Sequence, residues 1–383
     1  MEGEYFYMKI KSILLVALLP MIVGCSNGAQ PTGEDVITVT DMQNREVSFD
    51  RNSINRVVCI GAGALRFYSY IGDMSKIVAS EDIDGPNTFG IGQTVRPYYL
   101  ANKDYLSTLP SIGKGGPQAQ TAETELILAQ RPDMVISFLD SVEANNALGQ
   151  LVPVIALKQG REGIFDSVTM QSFELLGKVF KRETKYNEIK QYVESCKADF
   201  ANLTVDPNVT YYGSCIAGWG NTNFLLAANN WPVFKYAKVK NIMDNISDDK
   251  KTISQMGATI SMETILEANP DKVFIDGAGY NTFVNTYKTD ASYKEKIDNI
   301  AAFRNGEVYK MLPYNAYYTN LEIQLMTTYY VASIAHPESF ANFDIATKCD
   351  EISVKFNGKA MYDTLKAQPT GVGGYGKVDM SSL

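Results

Sequence analysis

Short unbroken apolar runs recur along this chain, separated by longer stretches in which apolar positions follow a helical period. The runs fall at residues 56–60, 76–79, 133–137 and 152–157, and again at 209–216, 272–275 and 307–311. A strand exposed on one face alternates apolar and polar residues, whereas one covered on both faces is apolar throughout, so these runs predict parallel sheets flanked by helices. Two α/β halves follow from their grouping.

Between the halves, residues 163–180 place Ile164, Val168, Phe173, Leu176, Val179 and Phe180 at helical spacing, and residues 184–203 continue with Tyr186, Ile189, Tyr192 and Val193. This predicts two helices meeting near Lys181-Arg182-Glu183, the first a rigid connector between the halves. The halves also share a repeat. Residues 125–136 (ELILAQRPDMVI) align without gaps on 263–274 (ETILEANPDKVF), with Glu, Ile, Leu, Pro, Asp and Val identical at matching positions. Each copy reads as a short helix, a Pro-Asp stop and a buried strand, because proline cannot continue the helix.

The first residues follow another pattern. Lys9 and Lys11 precede an apolar run from Ile13 to Val23, interrupted only by Pro20 and followed by Gly24-Cys25. At roughly 11 residues the run falls short of the ~20 that span a bilayer, which points to a signal peptide. Gly24-Cys25 is similar to a bacterial lipobox, where cleavage leaves a lipidated cysteine, and the polar stretch from Ser26 to Asp35 has the composition of a tether. The expected organisation is a signal peptide over 1–24, a tether over 25–35, an N-terminal lobe over 36–160, a linker helix over 161–182 and a C-terminal lobe with an extension over 183–383. The expected location is outside the cytoplasm, anchored through Cys25.

Charge and composition narrow the chemistry. The 35 Lys and Arg against 43 Asp and Glu give a net charge of −8, which provides no basic surface for nucleic acid. The one histidine, His336, and the five cysteines, none in a C-x-x-C pair, argue against a His-rich or thiolate metal site. Cys59, Cys196, Cys215 and Cys349 could pair in an oxidising compartment, but Cys59 lies in an apolar strand run, where a free buried thiol is the plainer state. No G-x-S-x-G elbow occurs and nothing marks a base beside a nucleophile, so no catalytic residues are assigned.

Two glycine-rich segments invite a nucleotide reading. Gly61-Ala-Gly63 follows a strand run, with Glu81 where a ribose-binding carboxylate would stand, but Arg66 occupies the third glycine position of the dinucleotide fingerprint. The same turn could present its N–H groups and Arg66 to an anionic ligand. Gly371 to Val378 approaches a P-loop, yet Val378 replaces the Ser or Thr and the chain ends five residues later, so residues 368–377 read as a loose tail. No cofactor is expected.

Aromatic residues cluster in inter-element segments: Arg96-Pro97-Tyr98-Tyr99, Gly218-Trp219-Gly220 and Pro313-Tyr314-Asn315-Ala316-Tyr317-Tyr318. Tyrosine and tryptophan combine a wide face with a polar tip, and arginine adds a planar charge, a mixture suited to a flat or chelated anionic ligand.

Together with residues 41–47 (DMQNREV), 56–66 (RVVCIGAGALR), 70–78, both Glu-to-Pro-Asp repeats and 303–309 (FRNGEVY), these features resemble the substrate-binding lipoproteins of bacterial ABC importers for iron complexes, haem and cobalamin. The resemblance, from about residue 36 to 345, implies an α/β fold of two Rossmann-like lobes joined by a long α-helix with the ligand in the cleft between them. It implies a monomer that is not an enzyme and whose partners are a permease, its ATPase and a small-molecule metal chelate. The ligand residues it suggests are Arg66, Arg96, Tyr98, Tyr99, Trp219, Tyr314 and Tyr317. It also implies a surface glutamate on each lobe that meets permease arginines, here Glu125 and Glu263, with Glu123 an alternative to Glu125 and helix-dipole stabilisation an alternative role for both. Family members that take bare Zn²⁺ or Mn²⁺ use several histidines, so a ferric siderophore, haem or a corrinoid is implied instead. An exported α/β hydrolase and a sensor lipoprotein on the same clamp are the other readings.

Overall fold

The computed structural model of the chain describes residues 33–85, 95–116, 122–216, 222–254 and 257–383. Cys25, the leader and Trp219 lie outside these residues. The first lobe opens with an antiparallel hairpin, β1 (Val36–Thr40) and β2 (Glu46–Asp50), whose Val39 and Phe49 turn to the core. The lobe continues through β3 (Val57–Ile60), α1 (Ala64–Ile71), β4 (Ile77–Ala79), α2 (Pro97–Leu106), α3 (Thr124–Ala129), β5 (Met134–Ser137), α4 (Val142–Gly149) and β6 (Val154–Ala156). The four strands β3 to β6 run parallel in the order β4-β3-β5-β6. From β3 the chain passes to β4 on one side and then returns to β5 on the other. That reversal leaves a crevice at the carboxyl ends of the strands, where open α/β sheets receive ligands.

Asp41 ties the hairpin to this sheet. Its carboxylate accepts from the Ala156 amide at 3.0 Å and pairs with Arg45 at 2.6 Å.

After β6 the chain forms α5 (Ser167–Phe180) and α6 (Glu183–Ala201). Asp166 caps α5 through the Val168 amide, and Lys181 ends it in a left-handed conformation, which is where the sequence places the junction. The second lobe holds β7 (Thr210–Ser214), β8 (Leu226–Ala227), α7 (Pro232–Tyr236), β9 (Lys240–Asn241), β10 (Thr252–Ser254), β11 (Gly257–Thr259) and α8 (Met262–Ala268). It continues with β12 (Lys272–Asp276), α9 (Gly277–Thr289), α10 (Ala291–Asp298), α11 (Ala301–Arg304), β13 (Val308–Met311) and α12 (Leu321–Ala335). Its central strands β7, β12 and β13 are parallel. Each apolar run read from the sequence forms a strand, and those at β3, β5 and β12 are buried or nearly so along their length. Both Pro-Asp repeats form the expected helix, stop and strand.

The C-terminal segment departs from the sequence reading. After α13 (Ile345–Asn357) and α14 (Tyr362–Lys366), the stretch expected to be a loose tail forms β14 (Gly376–Lys377), which pairs antiparallel with β13. Tyr375 is buried and shares a hydrogen bond of 2.8 Å with Thr327. Its glycines turn the chain into this position, with Gly373 and Gly374 at φ 76° and 87°. Helix α13 packs against α12 and also against α1 and α2 of the first lobe, with Phe356 edge-on to Tyr70 at 5.1 Å. The extension therefore touches both lobes.

Candidate ligand site at the lobe boundary

The Gly-x-Gly turn after β3 sets the site's geometry. Gly61 and Gly63 have φ of 83° and 98°, and a Cβ on Gly61 would stand 3.1 Å from the Phe138 carbonyl carbon. The turn launches α1, with Gly63 as its N-cap, and places Arg66 in the first turn with its side chain completely buried. Arg66 reaches into the other lobe. It donates to the carbonyls of Tyr317 at 2.9 Å and Ala316 at 2.6 Å, and to Asn320 Oδ1 at 3.0 Å. Asn320 returns the link by donating to the Val95 carbonyl at 2.9 Å.

Arg96 and its neighbours begin α2 rather than a loop. Pro97 occupies the first helical position, where its missing N–H is harmless. Arg96 is buried, lies over the Tyr99 ring at 4.4 Å and donates to the Ile83 carbonyl. The Arg66 guanidinium lies over Tyr98 at 4.9 Å, and the Tyr98 hydroxyl donates to the Asp84 carboxylate. Burial raises Asp84 above the usual carboxylate range, while Tyr98 and the two arginine charges act against the shift. From the second lobe, the Tyr317 hydroxyl donates to Glu81 Oε2 at 3.1 Å and receives the Gly116 N–H at 2.8 Å. Glu81 also accepts the Gly61 N–H at 3.1 Å on either oxygen. Burial, and then the neighbouring Asp84, lifts the Glu81 carboxyl to about 8.

Arg66, Arg96, Tyr98, Tyr99 and Tyr317 thus come together where the lobes meet. Tyr314 lies earlier in the same loop, edge-on to Trp231 at 5.4 Å, its amide donating to Asp276 at 2.7 Å. Trp219 lies outside the described residues. Sequence reasoning missed the carboxyl side of the cluster, Asp84 and the new role of Glu81, and the buried polar residues at the start of α12. Tyr70 donates to Glu322, while Gln324 accepts from the Ile164 amide at 2.9 Å and donates to the Glu162 carbonyl at 2.9 Å. A Glu and a Gln near the start of a helix with no other charged or amide side chain were the available signal.

Cys59, Cys196, Cys215 and Cys349 are free, buried thiols, and burial raises the pKa of each. Among the described residues no group of three or more His, Cys, Asp or Glu is placed to hold a metal ion. Glu125 and Glu263 stand exposed in the first turns of α3 and α8. Leu126, 45% exposed, adjoins the first, and Glu263 pairs with Lys296 at 3.1 Å beside a shallow groove of about 640 Å³.

A family profile described as periplasmic binding protein matches residues 59–314, from β3 through the loop that carries Tyr314. The chain belongs to this family. This periplasmic binding protein superposes on a periplasmic solute binding protein from Veillonella parvula with a TM-score of 0.66 at 17% identity, covering 88% of this chain and 98% of the other. It is also similar to MolA from Haemophilus influenzae, solved with molybdate, at TM-score 0.60 and 16% identity over 85% and 98% of the two chains. The TroA-like FepB from Veillonella parvula gives 0.59 and 18% over 85% and 97%. At these identities the likeness is one of fold. No curated protein sequence matches the chain. The profile ends before α12, the helix that carries Glu322.

Proposed function

We propose that the protein is a lipid-anchored, extracytoplasmic solute-binding protein that captures a chelated iron complex of siderophore or haem type and delivers it to an ABC importer. The observation that carries this reading is the convergence of Arg66, Arg96, Tyr98, Tyr99 and Tyr317 at the carboxyl ends of β3 and β4, between two α/β lobes. Buried guanidinium groups stacked on phenol rings suit an anionic ligand with flat faces, because the charge is used at low dielectric while the rings supply contact area. The carbonyls that now accept from Arg66 belong to the 314–320 loop, and ligand oxygens exchanged for them would receive the same donors. Proteins of similar fold include a haem-binding protein of Vibrio cholerae and a petrobactin-binding protein of Bacillus subtilis, which fits this reading. Cys25 as the anchor, Glu125 and Glu263 as permease contacts and Trp219 and Tyr314 as further ligand residues belong to the same proposal. Cobalamin is the alternative cargo.

The test is equilibrium titration of the full-length chain, held in detergent, with ferric catecholate, ferric hydroxamate, ferric citrate, haem and cobalamin, measuring bound metal after gel filtration. Saturable binding of one ferric complex or haem supports the reading. Silence across the panel, or turnover of a bound compound, defeats it.

A further inference from the structure

The Tyr317 ring lies in a slot of its own. It forms a small apolar cluster with Ala62 and Ile83, separate from the larger cores of the molecule. At the end of the slot its oxygen meets Glu81, from the segment after β4, and the amide of Gly116, from the stretch before α3. Gly115 presses its backbone on the same carboxyl, and a Cβ there would stand 2.5 Å from Glu81 Oε2. The ring is held in this slot by an unusual backbone, since Tyr317 and Tyr318 both adopt left-handed φ, 56° and 74°. Residues with a Cβ avoid that region. The loop is thus held in a disfavoured conformation while it delivers a phenol from one lobe to a buried carboxyl of the other.

We propose that this slot is a phenol subsite of the ligand cleft, and that Tyr317 occupies the position taken by a phenolic or catecholic ring of the captured molecule. The inference rests on the solute-capture reading above and narrows its ligand class. The slot walls, Ala62 and Ile83, fit a flat ring. The polar end requires an oxygen that accepts an amide N–H and shares one proton with a carboxyl group. A phenol facing a carboxylate meets this requirement, and so does a metal-bound phenolate facing a carboxylic acid. Burial and the neighbouring Asp84 push the Glu81 carboxyl up to about 8, in the direction that suits the second arrangement. A hydroxamate or citrate oxygen brings no ring to fill the slot.

The experiment titrates the full-length chain in detergent with ferric tris(catecholate) and, separately, with a ferric trihydroxamate, measuring bound iron by equilibrium dialysis. Tyr317→Phe keeps the ring and removes the oxygen that holds it. Glu81→Gln keeps the shape and removes the exchangeable proton. Loss of one or two hydrogen bonds corresponds to roughly a tenfold change in affinity. Catecholate affinity should rise about tenfold in Tyr317→Phe and fall about tenfold in Glu81→Gln, with trihydroxamate affinity shifting less than this in both. Thermal melts of the variants confirm that they are folded. Equal catecholate affinity in all three proteins, or identical shifts for the trihydroxamate, overturns the subsite. Binding of the trihydroxamate with no catecholate binding overturns the subsite while leaving solute capture standing. Failure of both complexes, together with haem and ferric citrate, overturns solute capture itself.

Discussion

The phenol of Tyr70, on the first lobe's α1, donates to the Glu322 carboxylate on α12, and both side chains are buried. Glu322 Oε1 has a second, longer contact with Asn357 Nδ2 at 3.3 Å. Burial raises the Glu322 carboxyl, and Arg66 and Tyr70 moderate the shift. Tyr70→Phe leaves the carboxyl with a poorer set of donors, and removing one partner of a buried pair costs about 1–3 kcal/mol. Urea unfolding of Tyr70→Phe should show a loss of that size, and a change below about 0.5 kcal/mol would refute the interaction's importance.

Asp276 predicts a pH dependence. Its buried carboxyl caps α9 through the Ala278 amide at 2.8 Å and accepts from Tyr314, yet desolvation outweighs both bonds and lifts it to about 7. A carboxyl raised in the folded state binds its proton more tightly there. Its contribution to stability is therefore fully present below the unfolded value, near 3.8, and is lost as pH rises to about 7. Asp276→Asn should flatten the fall in stability between those limits by up to about 1.4 kcal/mol per pH unit. Denaturant midpoints measured from pH 4 to 8 test this, and an unchanged slope would be contrary.

Gly61→Ala combines a left-handed φ of 83° with a Cβ 3.1 Å from backbone. We expect a loss of about 1–3 kcal/mol in stability and weaker ligand affinity, because the Gly61 amide also positions Glu81. Calorimetry and the titration above read the two effects separately.

Tyr375→Ala tests the ordered C-terminus. Removing a buried aromatic side chain costs about 3–5 kcal/mol, whereas truncation in a loose tail would cost almost nothing. Thermal melting distinguishes the two.

Charge reversal at Glu125 and Glu263 addresses docking. The Glu263–Lys296 pair is exposed and holds the carboxylate only weakly, so a partner's arginine can compete for it. The double change Glu125→Lys with Glu263→Lys should abolish uptake in cells and leave ligand affinity unaltered. Intact uptake would remove the assignment.

The two lobes were readable because parallel strands covered on both faces carry unbroken apolar runs, and because Pro-Asp punctuates both repeats. The lobe boundary was not. Arg66 finds its acceptors some 250 residues away at Ala316 and Tyr317, and no local pattern records such a contact. Glu81 shows the middle case: its spacing from Gly61 suggests a ribose partner, and the carboxyl does meet that turn, but as the chain's own occupant of the Gly61 N–H. Helix α12 is hard to read from sequence because it is buried around its circumference and carries little amphipathic signal. The order of the tail is not legible in the failed P-loop pattern, since nothing local reveals the pairing with β13 or the bond from Tyr375 to Thr327.

The position of α13 across both lobes bears on the order in which the fold can be completed. Until Phe356 has been synthesised, the face of α1 that carries Tyr70 lacks its cover, and until Gly376 arrives the edge of β13 has no strand beside it. A nascent chain halted anywhere before residue 345 therefore still shows apolar surface at the seam between the lobes. The two lobes therefore gain their full cover only when α13 and β14, both far along the sequence, have joined them.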